Sequence, residues 1–263
     1  MALLRCDVTS EVLKIDTSMN VILPQYLRTP FSPEPAPIST APPVLYLLHG
    51  LGDDGSAWSR QTAIERYVAP LGLAVVMPQV GRSFYADQVH GQPYWTFLSE
   101  ELPVLVDAMF RVSTRREDTF VAGLSMGGFG AMKWALRDPE RFAAVASISG
   151  VLDSAQVRRN REPHREAVME AAFGDGDIDG TDNDVRHLLT EAADRGRSFP
   201  AMYICCGEQD ALHHSNVQFA GLARDLGVPL TAEFGPGAHD WAYFDAGIRR
   251  VLAWLPLART MPD

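Results

Sequence analysis

Short, mostly apolar runs separated by segments of helical spacing dominate this chain. Val44 to Leu48, Leu73 to Met77, Thr119 to Ala122, Ala143 to Ile148 and Ala201 to Cys206 are such runs. At this length they read as strands buried on both faces, the environment of a parallel sheet. Leu230 to Phe234 reads as one further strand. Between the strands, Ser56 to Val68, Phe97 to Phe110, Gly127 to Leu136, Asn216 to Leu226 and Trp241 to Leu255 carry helical spacing and are bounded by Gly, Pro or polar residues. Strand and helix alternate. The pattern predicts an α/β fold: a mostly parallel central sheet, helices on both faces, right-handed crossovers and ligands beyond the carboxyl ends of the strands.

Two departures from the alternation are informative. Before the first buried run, Leu3 to Ile15 and Asn20 to Leu23 look β-like, and Pro30 to Pro43 is proline-rich. Proline cannot donate to a sheet ladder, so this reads as a leading antiparallel edge followed by a loop. Val151 to Pro200 is polar, partly helical, and lies between two buried runs. It reads as a cap-like insert, residues 151–200, within one domain spanning 1–263. Inside it, Asp175, Asp177, Asp179 and Gly180 imitate the start of a calcium loop, but the twelfth position is Arg186. That position needs a bidentate Glu, so the stretch reads as a solvated acidic loop and no metal is expected.

Composition narrows the setting. With 46% hydrophobic and 21% charged residues, the 263-residue chain has enough apolar content for a single globular core and is not of disordered type. A net charge of -10 repels polyanions, which excludes nucleic acid as the expected partner. The densest basic run, Arg158, Arg159, Arg161 and Arg165, is interrupted by acids and reads as a solvated helix face. Three cysteines cannot build a disulfide framework, and Cys205 and Cys206 sit inside an apolar run. Met1 to Val12 is charged and lacks the apolar stretch of a signal peptide or span. A cytoplasmic protein without a membrane partner is therefore expected. A homo-oligomer is compatible with the sequence, since a twofold interface leaves no pattern in a single chain.

The chemistry centres on Gly123-Leu124-Ser125-Met126-Gly127, with Gly128 behind it. This is G-x-S-x-G in the context the motif requires, a buried strand before it and a helical pattern after it. The sharp strand-to-helix turn strains the serine backbone and tolerates only small residues at its flanks. The hydroxyl is then presented at a helix start, where developing negative charge is favoured.

A serine hydroxyl is a weak nucleophile until a base takes its proton, so a histidine and an acid must follow. Asp210, in Cys205-Cys206-Gly207-Glu208-Gln209-Asp210, ends a buried strand and is the acid, with Glu208 as the alternative. His239 lies on the glycine-rich stretch Gly235-Pro236-Gly237-Ala238-His239 after the last strand and is the base; His213 and His214 are its competitors. The order Ser, Asp, His is that of the α/β-hydrolases. Oxyanion donors come from the backbone N–H after the nucleophile and from a loop after an earlier strand. Met126 supplies the first. Leu51, in His49-Gly50-Leu51-Gly52, supplies the second, with the Gly50 N–H as alternative, and His49 reads as a packed structural histidine.

Taken together, these motifs resemble the esterase D-like family, which includes tributyrin esterases, S-formylglutathione hydrolases, feruloyl esterase domains and antigen 85 mycolyltransferases. The resemblance covers most of the chain. It rests on His49-Gly50-Leu51-Gly52-Asp53 with Trp58, Tyr94-Trp95 with Glu100-Glu101-Leu102, Gly123 to Ala131, Glu208-Gln209-Asp210 and His239-Asp240-Trp241. It implies the triad and oxyanion donors above, an acyl pocket lined near Trp95, a substrate-facing Gly50, and no cofactor. Trp58 and Trp241 read as core residues. The chain is most similar to the tributyrin esterase type, whose members act on short acyl esters as small-molecule substrates. Leu124 and Phe129 stand where S-formylglutathione hydrolases often have histidine. The expected activity is a serine carboxylesterase, with thioester hydrolysis or acyl transfer as the alternatives.

Overall fold

The computed structural model describes residues 1–25, 41–153 and 163–257. Most of the proline-rich connection and the side chains of the Arg158 to Arg165 run lie outside the described residues. The apolar runs become strands: β1 Ala2–Thr9, β2 Asp16–Leu23, β3 Val44–Leu48, β4 Ala74–Pro78, β5 Thr119–Leu124, β6 Ala144–Ile148, β7 Ala201–Gly207 and β8 Leu230–Gly235. They form one sheet in the order β1-β2-β4-β3-β5-β6-β7-β8. β1 pairs with β2, and β2 with β4, antiparallel; every pairing from β4 through β3 to β8 is parallel.

Burial follows position in the sheet. β3, β4, β5 and β6 are buried at every residue, whereas β1 alternates between exposed and half-buried positions, as an edge strand with one solvated face must. The two faces of β3 feed separate cores. Val44, Tyr46 and Leu48 join one with Phe129, Trp134 and Leu189, and Leu45 and Leu47 join the other with Trp58, Phe244 and Ile248. The period-two alternation of a strand therefore divides the molecule into two helical layers.

The helices are α1 Ala57–Gln61, α2 Ile64–Val68, α3 Tyr94–Thr96, α4 Leu102–Met109, α5 Met126–Arg137, α6 Pro163–Phe173, α7 Val185–Asp194, α8 His213–Asp225 and α9 Trp241–Trp254. Two of the expected helices differ from the sequence expectation for identifiable reasons. Ser56 to Val68 is two helices because the Thr62 hydroxyl donates to Trp58 O at 2.6 Å and accepts the Ile64 N–H at 3.1 Å, a local bond that competes with the ladder. The helix expected from Phe97 begins three residues earlier and widens into a π-turn at Phe97–Glu101. Pro103, which cannot donate to the carbonyl four residues back, sits just beyond that turn.

The strand expected from Leu3 to Ile15 ends at Thr9. Residues 10 to 15 form a hairpin turn held by Ser10 N–H to Ile15 O at 3.0 Å and Lys14 N–H to Ser10 O at 2.9 Å. Glu101 reaches from the π-turn to accept the Ser10 hydroxyl, the Glu11 N–H at 2.6 Å and the Val12 N–H at 3.3 Å. Among the described residues, no helix is long and apolar enough to cross a membrane.

Within the insert, α6 and α7 pack against the core face that carries α5. Asn183 Oδ1 accepts from Lys133 Nζ at 2.7 Å, and Asp182 pairs with Arg137 at 3.0 Å. His90 N–H donates to Ala171 O at 3.0 Å. The insert is thus fastened to the helix that follows the G-x-S-x-G motif.

Candidate active site

Ser125 adopts φ 53° and ψ -117°, a region that β-carbon-bearing residues rarely enter. The neighbours that hold it there explain the glycines. A Cβ on Gly127 would lie 2.4 Å from Leu48 O. The elbow is fixed by Ser125 N–H to Ile148 O at 3.0 Å, while Ser125 O accepts the Phe129 N–H at 3.1 Å and the Val151 N–H at 3.2 Å. Strain stored at one residue is offset by bonds to β6 and α5.

Asp210 and His239 come from the turns after β7 and β8. These turns are in van der Waals contact: a Cβ on Gly207 would lie 2.2 Å from Gly237 O. Gln209 joins them, its N–H donating to Gly237 O at 2.9 Å and its Oε1 accepting the Gly237 N–H at 2.7 Å. That clamp is absent from the sequence reading. Its only signal was the position of Gln209 between Glu208 and Asp210.

The result is a hydrogen-bonded row. His239 Nδ1 is 2.7 Å from Asp210 Oδ2, and His239 Nε2 is 3.1 Å from Ser125 Oγ. With Asp210 ionised, Nδ1 carries the proton and donates it, which leaves Nε2 as acceptor for the serine hydroxyl. Burial pushes the Asp210 carboxyl up, but the bonds from His239 and from the Leu212 N–H, at 2.8 Å, outweigh it and hold the group below its ordinary value. The ring of His239 packs edge-on against Phe244 at 5.1 Å. Asp240 caps α9 by accepting the Tyr243 N–H at 2.9 Å, which fixes the turn beside the histidine.

The alternatives are placed elsewhere. Glu208 is exposed, and His213 packs edge-on against Phe234 at 5.2 Å. His49 is buried, with Nδ1 2.8 Å from Gly50 O and Nε2 accepting the Val80 N–H at 3.2 Å. Burial lowers its pKa, as suits a neutral ring that shapes the Gly50–Leu51 turn. Tyr85 supports the same turn by donating its hydroxyl to His49 O at 3.0 Å. Trp58 is buried and donates Nε1 to Leu48 O at 3.1 Å, and its ring meets Trp241 edge-on at 5.5 Å.

Ser125 and His239 line a cavity of about 340 Å³ whose wall includes Gly50, Leu51, Asp53 and Met126. Among the described residues, neither the Leu51 nor the Met126 backbone N–H has an acceptor within the chain. Phe84, Val151, Met169 and Leu212 supply an apolar side. Met169 belongs to α6, so the insert contributes directly to this wall.

Trp95, expected near the acyl pocket, is not among the residues that line this cavity. Its indole lies against two basic side chains of α5, with Lys133 Nζ 4.3 Å and Arg137 Cζ 4.6 Å from the ring. Phe84 and Met169 take the place assigned to it. Phe84 sits at φ 51° in a segment of turns and bends that belongs to no strand or helix.

The strand order, the elbow and the residue order define a serine hydrolase of α/β-hydrolase type. The family model described as "Putative esterase" matches residues 10–255, and the chain belongs to that family. An acetyl esterase from Caldicellulosiruptor saccharolyticus is 27% identical over 97% of this chain and 98% of its own length. FphF, a fluorophosphonate-binding serine hydrolase of Staphylococcus aureus solved with substrate bound, is 33% identical with a TM-score of 0.87, covering 97% of this chain and 98% of its own. The S-formylglutathione hydrolase FrmB from Staphylococcus aureus is 32% identical with a TM-score of 0.83 over the same shares. The chain is an ester-hydrolysing enzyme.

Proposed function

We propose that the protein is a serine carboxylesterase acting on short acyl esters through an acyl-enzyme. Ser125 Oγ attacks the ester carbonyl while His239 Nε2 takes its proton, and Asp210 holds the imidazole in the tautomer that can accept it. The tetrahedral oxyanion is bound by the Leu51 and Met126 N–H groups. As the carbon–oxygen bond breaks, His239 returns the proton to the leaving alcohol. Water, deprotonated by His239, then attacks the acyl-enzyme, releases the acid and regenerates Ser125. The reaction written this way calls on no cofactor.

The observation that carries this reading is the 3.1 Å approach of His239 Nε2 to Ser125 Oγ beside two backbone donors that have no acceptor among the described residues. A cavity of about 340 Å³ with an apolar wall suits a short acyl chain. The resemblance to an acetyl esterase supports the same substrate class.

Thioester hydrolysis is a second reading, favoured by the likeness to FrmB. Hydrolysis of p-nitrophenyl esters from acetate to octanoate, and of S-formylglutathione, by wild type and Ser125→Ala decides between them. Short esters turned over by wild type alone support the carboxylesterase. Preference for the thioester moves the activity to the second reading, and turnover that survives in Ser125→Ala overturns both.

A further inference from the structure

The cavity contains a carboxylate that the mechanism above does not use. Of the acidic side chains on its wall, Asp210 is committed to His239 and to the Leu212 N–H. Asp53 is not. It follows the Leu51 oxyanion donor by two residues and is half-buried, and its N–H turns back to Gly50 O at 3.2 Å. Its carboxylate has no cationic partner among the described residues.

Its position relative to the nucleophile follows from Gly50. The point a Cβ would occupy there lies 2.9 Å from Asp53 Oδ2 and 3.7 Å from Ser125 Cβ. The carboxylate and the nucleophile therefore flank the same point in space. Burial raises the Asp53 pKa, and His49, the Gly50 N–H and His239 each pull it down, so its field reaches the histidine that protonates the leaving group. The neighbouring Asp54 is exposed and is not part of the cavity wall; its carboxylate accepts the Ser56 N–H at 2.7 Å.

The cavity is thus divided. Phe84, Met169, Val151 and Leu212 offer an apolar side for the acyl chain, and the Gly50–Asp53 turn offers a negative side. We propose that Asp53 selects substrates by the charge of the leaving group, favouring esters of cationic alcohols and rejecting esters whose alcohol bears a carboxylate. A lone anion in a half-buried site acts on a substrate charge a few ångströms away through a lower effective dielectric than water provides, which is enough for roughly tenfold discrimination. Asp53 is a specificity determinant here, and the inference rests on the Ser125 mechanism proposed above.

The test uses three acetate esters followed by pH-stat titration: acetylcholine, its uncharged isostere 3,3-dimethylbutyl acetate, and 4-acetoxybutanoate. The readout is the ratio of kcat/KM for the cation to that for the anion. Asp53→Asn keeps the size and an acceptor oxygen, and is expected to lower this ratio roughly tenfold; Asp54→Asn removes the same charge one residue away and is expected to change it less than about twofold. Since the ratio is read within one variant, a general loss of activity does not imitate the effect. Asp53→Ser serves the same comparison if the amide variant does not fold. An unchanged ratio in the Asp53 variant overturns the proposal, as does an equal change in Asp54→Asn, which would trace selection to the overall net charge. Retained turnover of all three esters by Ser125→Ala would instead defeat the mechanism and leave the charge ratio as a separate result.

Discussion

Gly123 and Gly127 face each other across the strand-to-helix turn that carries Ser125: a Cβ on Gly123 would lie 2.3 Å from the carbonyl oxygen of Gly127. The oxygen belongs to the backbone and the Cβ is fixed directly to it, so neither can rotate away. Gly123→Ala must move β5 or the first turn of α5, and both are buried on all sides. The expected loss is about 3 kcal/mol or more, in the range of severe overpacking at a strained site. Denaturant unfolding of the purified variant measures it, and a change below about 1 kcal/mol would contradict the close approach.

Asp210 offers a test of role and of pH dependence together. Asp210→Asn preserves shape but presents the wrong partner to His239 Nδ1, so kcat should fall by on the order of 10²- to 10⁴-fold with KM little changed. The folded carboxyl lies below its ordinary value, so its ionised form stabilises the fold. That contribution is fully present above the ordinary carboxylate pKa and is lost as pH falls through the lower folded one. The stability advantage of wild type over Asp210→Asn should therefore be constant near neutrality and vanish in acid. Chemical denaturation at a series of pH values reads it, and an advantage that grows toward acid would refute the assignment.

Much of this was legible in the chain because the signals are local. Continuous apolar runs of this length, set between helical segments, read as strands covered on both faces, and Gly123, Ser125 and Gly127 announce the turn between one of them and a helix. Asp210 and His239 could be chosen because each follows a predicted strand. The acyl side was not legible. Trp95 lies in a helical segment whose spacing says which face is apolar, but not that Lys133 and Arg137 of α5 would cover its ring. Phe84 and Met169 lie in segments with no strand period, and their convergence on Ser125 is set by tertiary packing of the insert. Gln209 and Glu101 are similar cases, polar side chains whose partners are backbone groups distant in sequence.

The lining of the cavity makes opposite predictions for two side chains. Trp95→Ala should cost about 1 to 3 kcal/mol of stability through lost packing and cation–π contact, and alter kcat/KM for p-nitrophenyl acetate by less than about threefold. Met169→Ala opens the apolar side and should shift the preferred acyl chain toward longer esters by one or two carbons. An acyl series run on both variants separates them. A changed chain-length optimum in Trp95→Ala would return that residue to the pocket.

Lys133 carries the last prediction. It is buried on α5, donating to Tyr85 O at 2.9 Å and Asn183 Oδ1 at 2.7 Å, and so joins the segment carrying Phe84 to the insert carrying Met169. Desolvation, aided by Arg137 and opposed by Asp87 and Asp182, lowers its pKa to about 7. In the unfolded chain a lysine keeps its proton to about pH 10.4. Between those values the unfolded state binds more protons than the folded one, so stability rises with pH; below about 7 both states are protonated and the cost of burying the ammonium is fully present. Lys133→Met has no such group. The difference in unfolding free energy, wild type minus variant, should climb from neutral pH toward pH ~10 with a slope of up to about 1.4 kcal/mol per pH unit. Urea unfolding of both proteins across that range provides the curve. A flat difference would mean that Lys133 keeps its charge throughout, and that the bridge between the two pocket walls is an ion whose burial is compensated by Asp87 and Asp182.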